Sequence, residues 1–219
     1  MRSFKIVFLL ILVFSIVSCT NKTVELPQLP ISGESEIQNH SQIWVFYKEK
    51  DGKIEAELNK NNRITTTHWI INIDKRLTLK ELVPVFNIIK EKRELKSMHK
   101  KDGMNNYLSY SDIKNKKIAL FAMDSLYFTM QSKEKIAELK QSNINTHAIA
   151  FSKESIRLDG NSFPINQWNS MVLDSLSKGR VRLEFSQNLS YQEYLKYRIT
   201  IQNKLPKEMY IEKLEYVIQ

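Results

Sequence analysis

Apolar and polar residues alternate in short runs along most of this chain, and twice the alternation gives way to a helical period behind a capping signal. QIWVFY (42–47) and KIEAEL (53–58) read as strands around Lys50-Asp51-Gly52, a hairpin turn, and HWIINI (68–73) reads as the next strand. Thr78 and Glu81 then form a T-x-x-E capping box ahead of Leu79, Leu82, Val83, Phe86 and Ile89, which share one helical face. Pro84 falls inside that helix, where proline removes a donor, so a kinked first turn is expected. ELKSMHKKDGMNNYLSYSDIKNK (94–116) reads as a basic connection to the strand KIALFAM (117–123), and SKEKIAELKQ (132–141) as a helical connector.

The same outline returns in the second half. HAIAFS (147–152) and SIRLDG (155–160) read as strands, and Pro164 starts a helix with Trp168, Met171, Val172 and Leu176 that Gly179 stops. VRLEF (181–185) is a strand. Ser190 and Glu193 form a second capping box before Tyr191, Tyr194, Leu195 and Ile201, and MYIEKLEYVI (209–218) closes as one strand. At an offset of 112 residues, Ile71 aligns with Leu183, Ile73 with Phe185, Leu77 with Leu189, Thr78 with Ser190, Glu81 with Glu193 and Val83 with Leu195. The first copy has only NKNNRITTT (59–67) where the second has a helix, so copy one is a degenerate module. The fold class expected is α+β, with two small modules of sheet plus helices.

The N-terminus carries an address. Arg2 and Lys5 precede the apolar run VFLLILVFSIV, which is of signal-peptide length and too short for a stable span. Ile16-Val17-Ser18-Cys19 resembles a lipobox, the recognition site of bacterial lipoprotein signal peptidase, which implies cleavage before Cys19 and its acylation. Cys19 is the one cysteine in the chain, so an internal disulfide is impossible. The organisation expected is a signal peptide (1–18), an acylated Cys19 with a flexible tether (19–41), a degenerate module (42–130), a connector (131–144) and a full module (145–219). The expected location is the bacterial envelope, lipid-anchored and facing the periplasm.

The order β-β-α-β-α-β in 147–218 resembles the periplasmic domain of the ExbD/TolR biopolymer-transport family. SIRLDGNSFPINQW is similar to that family's strand, turn and first helix, and VRLEFSQNLSYQEYLKY to its strand, turn and second helix. INIDKRLTLKELVPVF is similar to the same unit, with Asp74-Lys75 matching an acidic and a basic residue after the strand. The resemblance implies strand-mediated dimerisation and contact with envelope proteins such as ExbB/TonB-like components. The leader has no acidic residue, so the family's proton-driven motor role does not follow.

Candidate chemistry is sparse. His40, His68, His99 and His147 are far apart in sequence and have no zinc-ligand spacing, and no nucleophile elbow or phosphate loop is present. Asp51, Asp74, Asp102, Asp124 and Asp159 lie beside turns or caps, and Trp44, Trp69 and Trp168 read as core. No enzyme activity, metal or cofactor is expected. Without residues 1–18 the chain keeps 31 basic against 24 acidic residues, a net +7. In the envelope such a charge favours anionic lipid or acidic cell-wall polymer over nucleic acid. The leading expectation is a non-catalytic binding or accessory component of an envelope transport or motor assembly. The alternative is binding of a cell-wall polymer or small ligand through the basic loop 96–117, by Lys100, Lys101, Lys116 and Lys117.

Overall fold

The computed structural model describes residues 22–59, 64–95, 103–123, 126–142, 146–165, 176 and 178–219, leaving aside the side chains of 139–142. Its architecture is mixed α and β, with a six-stranded and a seven-stranded sheet among the described residues. The lipobox with Cys19 lies outside the described residues, as do Trp168, Met171 and Val172 of the helix expected after Pro164.

The first sheet contains β1 (Gln28–Leu29), β2 (His40–Lys50), β3 (Lys53–Leu58), β4 (His68–Ile73), β5 (Asn106–Asp112) and β6 (Lys117–Ala122). β2, β4 and β5 run parallel at its centre, while β3 and β6 are antiparallel at the two edges. The β2–β3 turn holds Asp51 and Gly52 at φ 52° and 71°, the left-handed pair that a tight hairpin requires. Helix α1 (Leu79–Glu94) joins β4 to β5 behind the expected capping box, where Thr78 and Glu81 satisfy each other. Pro84 sits exposed on the solvent side of this helix, which runs on past it.

The second sheet contains β7 (Tyr127–Gln131), β8 (Thr146–Phe151), β9 (Ser155–Leu158), β10 (Asn161–Pro164), β11 (Gly179–Ser186), β12 (Met209–Ile211) and β13 (Leu214–Ile218). Helix α2 (Lys133–Ser142) links β7 to β8, and α3 (Tyr191–Lys204) links β11 to β12. The order β9-β8-β11-β13 repeats β3-β2-β4-β5 of the first sheet, with the outer hairpin strand antiparallel and the rest parallel. The repeated order is therefore a property of the fold as well as of the sequence.

Several expectations change. The segment expected as a tether is built into the first module: Ser111 and Ile113 donate backbone hydrogen bonds to Pro27 and Leu29, and Leu120 donates to Glu34. It wedges in beside β5 where β4 and β5 part. The basic connection 94–116 contains β5, a central and almost wholly buried strand. The boundary expected at residue 130 falls inside β7, which pairs with β13 and so belongs to the second sheet. Pro164 is the last residue of β10, the helix expected to follow lies largely outside the described residues, and the closing strand is broken at Glu212 and Lys213 into β12 and β13.

Helices α1 and α3 each touch both sheets. On β7, Phe128 stacks on Phe86 of α1 at 4.6 Å and meets Tyr194 of α3 edge-on at 5.8 Å. In α3, Tyr194 packs against Phe185 of β11, and Arg198 lies 5.5 Å from the Phe121 ring of β6. One continuous apolar core results, running from Leu29 to Val217. At its centre the two helix starts clasp each other. Leu79 N–H donates to the Leu189 carbonyl at 3.1 Å, Tyr191 N–H donates to the Leu77 carbonyl at 2.7 Å, and Thr78 faces Ser190 in an antiparallel bridge. At the offset of 112 these two bonds are the same bond seen from either copy, so an approximate two-fold axis passes between Thr78 and Ser190.

Candidate functional site

Of the four lysines expected to form a basic site, Lys100 and Lys101 lie outside the described residues. Lys116 and Lys117 are exposed in the turn from β5 to β6, with Lys116 at φ 52°. Asp112 fixes that turn by accepting the backbone N–H groups of Lys114 and Asn115, both at 3.0 Å, and the Asn115 amide at 2.7 Å. These bonds, the Asn115 amide first among them, hold the Asp112 carboxyl below its ordinary pKa. Cys19 and the helix residues near Trp168 contribute no geometry.

An apolar recess bearing polar groups lies on the outer face of the first sheet. Alternation places Ile43 and Val45 in the core and turns Gln42, Trp44 and Phe46 outward. Trp44 is half-buried on this face, where the sequence reading placed it in the core; Trp69, in contrast, is fully buried. Trp44 and Phe46 stand two residues apart with ring planes only 13° from parallel. Residues 35–38 fold back over this face, and Ile37 packs on Ile70, Tyr107 and Leu120. Between them runs a groove of about 620 Å³ lined by Trp44, Ile70, Ile118 and Leu120, with Gln42 and Asn72 in its floor. The floor is a hydrogen-bonded row: Ser109 Oγ donates to Asn72 Oδ1 at 2.7 Å, and Asn72 Nδ2 donates to Gln42 Oε1 at 2.6 Å. An aromatic shelf beside fixed amides offers ring stacking and hydrogen bonding, the chemistry of a neutral polar ligand. Ser35, Glu36 and His40 also line it, with the His40 ring turned to the Ile37 carbonyl at 2.7 Å.

A second recess, about 450 Å³, opens where α3 meets β12 and β13. Its inner wall holds an ion pair of Arg198 Nε and Glu215 Oε1 at 2.7 Å, and the Tyr194 hydroxyl donates to Glu215 Oε2 at 2.8 Å. Burial drives the Tyr194 phenol far above its ordinary range, and the Glu215 charge adds to the effect. Burial opposes the charge on Arg198, but the Glu215 carboxylate outweighs it and raises the guanidinium pKa. The Glu215 carboxylate is thus fixed between the Tyr194 hydroxyl and the Arg198 guanidinium.

The remaining candidates also resolve into structural roles. Asp74 is fully buried and receives Arg76 Nε and Nη2, each at 2.8 Å, together with the Glu25 backbone N–H at 3.2 Å. Burial pushes this carboxyl up, but the Arg76 bonds outweigh it and hold it below the usual range. The His40 ring lies 2.7 Å from the Ile37 carbonyl, His68 accepts from Asn105 N–H, and His147 pairs with Asp159 at 2.7 Å. His99, Asp102 and Asp124 lie outside the described residues. Among the described residues no group of three or more His, Cys, Asp or Glu is placed to hold a metal, and no helix is long and apolar enough to cross a membrane.

The groove and the clasp were invisible in the sequence, because each depends on strands brought together from distant segments. Trp44 reads as core from its place in a strand pattern, whereas alternation with the buried Ile43 and Val45 turns it outward. Compared with family models, curated proteins and solved structures, the chain matches none of them.

Proposed function

We propose that this chain is a non-catalytic envelope lipoprotein, anchored through an acylated Cys19 and facing the periplasm. In this reading its two ExbD/TolR-like modules pair within one chain and serve as a binding or accessory component of a transport or motor assembly. The clasp at Thr78 and Ser190 carries the proposal, since the ExbD/TolR resemblance implies modules that associate in pairs. Pairing inside one chain leaves the edge strand β3 open for a partner. Lys53, Glu55 and Glu57 on it deter indiscriminate pairing, while its backbone groups remain able to accept another strand.

The test is site-specific photo-crosslinking in cells from a reactive residue at Glu55. Crosslinks to one discrete envelope protein from Glu55, and none from Lys90 on α1, would support the reading. A protein that is acylated at Cys19 and crosslinks to nothing from Glu55 would overturn the accessory role.

The groove on the outer face favours a second reading, binding of a cell-wall polymer or small ligand, with Trp44 as the stacking surface. Retention on purified sacculi that is lost in Trp44→Ala and kept when Glu55 carries the reactive residue would select it.

A further inference from the structure

We infer that the end of the first sheet where β2, β4 and β5 finish is a docking surface for a bilayer of anionic lipid. Three exposed large apolar side chains lie in or next to the two turns at this end: Ile54 at the start of β3, 42% exposed, Ile113 in the β5–β6 turn, 51%, and Ile118 at the start of β6, 58%. Each is set among lysines. Lys50 and Lys53 bracket the β2–β3 turn, and Lys114, Lys116 and Lys117 fill the β5–β6 turn between its two isoleucines. β2, β4 and β5 run parallel, so their ends emerge on the same side of the molecule, with β1 inserted between β4 and β5 there. Lys75 and Arg76 follow β4, where both pair with Glu25 and Arg76 also with Asp74. The second turn is held in shape by Asp112, and the Asn115 amide is tied to Ser32 Oγ at 2.8 Å.

The combination selects the occupant. An acidic polymer would engage the lysines and leave three isoleucines in water. A bilayer of anionic lipid satisfies both, with ammonium groups at the phosphates and isoleucines in the headgroup boundary. The course of the chain gives an independent argument. Lys22 pairs with Glu57 of β3 and lies 5.9 Å from the Phe46 ring, beside this end of the sheet. Only Thr20 and Asn21 separate it from Cys19, so the two Cα atoms lie within roughly 11 Å. An acyl chain on Cys19 would press this end against the bilayer. That part rests on the acylation proposed above; the surface itself does not.

The experiment uses residues 20–219, which contain every described element and no cysteine, in co-sedimentation with vesicles. One set contains phosphatidylglycerol and phosphatidylethanolamine, the other phosphatidylcholine alone. Binding to the anionic set alone is expected, falling at least roughly tenfold between 50 and 300 mM salt. Replacing Lys114, Lys116 and Lys117 by Glu should lower it on the order of 100-fold. Ile113→Ser with Ile118→Ser should lower it severalfold at an unchanged salt slope. Lys207→Glu with Lys213→Glu, at the recess by the opposite end of β6, should leave it within about twofold. Equal binding to both vesicle sets, no binding to either, or an equal loss in the Lys207 and Lys213 variant overturns the proposal. So does retention on sacculi that needs the lysines while the isoleucine variant behaves as wild type. Incorporation of labelled fatty acid into the full chain reports on Cys19 separately, so vesicle binding without acylation would remove the anchor and leave the surface.

Discussion

Tyr191 shows what a single residue contributes to the pairing of the modules. Its ring is fully buried at the start of α3, its N–H closes the clasp to Leu77, and its hydroxyl finds no hydrogen-bond partner among the described residues. Burial accordingly pushes the phenol far above its usual pKa. A buried hydroxyl without a partner costs about 1–3 kcal/mol, so Tyr191→Phe should stabilise the protein by roughly 1 kcal/mol while leaving the backbone clasp intact. Urea denaturation checks this, and a loss of stability would show that the hydroxyl is satisfied. Asp74 presents the opposite case. Its carboxyl is held below the ordinary range by Arg76 and Glu25, so it stabilises the fold above the unfolded value of about 3.9. That contribution disappears as pH falls through the lower folded pKa. Asp74→Asn should therefore cost about 1–3 kcal/mol at pH 7, with the difference from wild type shrinking below about pH 4. A difference that stays constant from pH 7 to pH 3 would contradict the assignment.

At the scale of elements, both capping boxes were legible because the pattern S/T-x-x-E needs only local geometry, and both helices begin where it places them. β5 was hidden. Asn106, Ser109, Ser111 and Asp112 place polar residues on both of its faces, so it shows no clean apolar alternation, and lysines flank it on both sides. Its burial depends on partners more than thirty residues away in sequence, as Ser109 to Asn72 illustrates. Pro84 was read as a kink, yet it lies on the exposed side of a helix that continues to Glu94. The missing N–H leaves the Lys80 carbonyl to solvent, a smaller loss than a buried break. Pro84→Ala should restore that bond and raise stability by about 1–3 kcal/mol. Thermal unfolding checks it, and an unchanged or lower midpoint would mean that the proline ring itself supports the first turn.

At the scale of the molecule, the repeat at 112 residues was readable as a pattern, but its meaning was not. Sequence can align Leu77 with Leu189 and Thr78 with Ser190; it cannot say that aligned residues are also neighbours. Nor could it assign β7 to the second sheet, because Tyr127–Gln131 is short and its partner β13 lies some eighty residues on. That crossing strand and the shared helices make the two sheets one core, and the modules act as a single body whose free features are the β3 edge, the outer groove and the lysine-rich end.

The pairing is tested most directly by Thr78→Cys with Ser190→Cys in residues 20–219, which have no other thiol. Antiparallel bridge partners lie about 4.5–5.5 Å apart at Cα, within the range a disulfide spans. Mild oxidation should give a monomer with one internal disulfide, found by mass spectrometry, and a higher denaturation midpoint than the reduced form. Free thiols after oxidation, or disulfide-linked dimers as the main product, would contradict the pairing of the two modules within one chain.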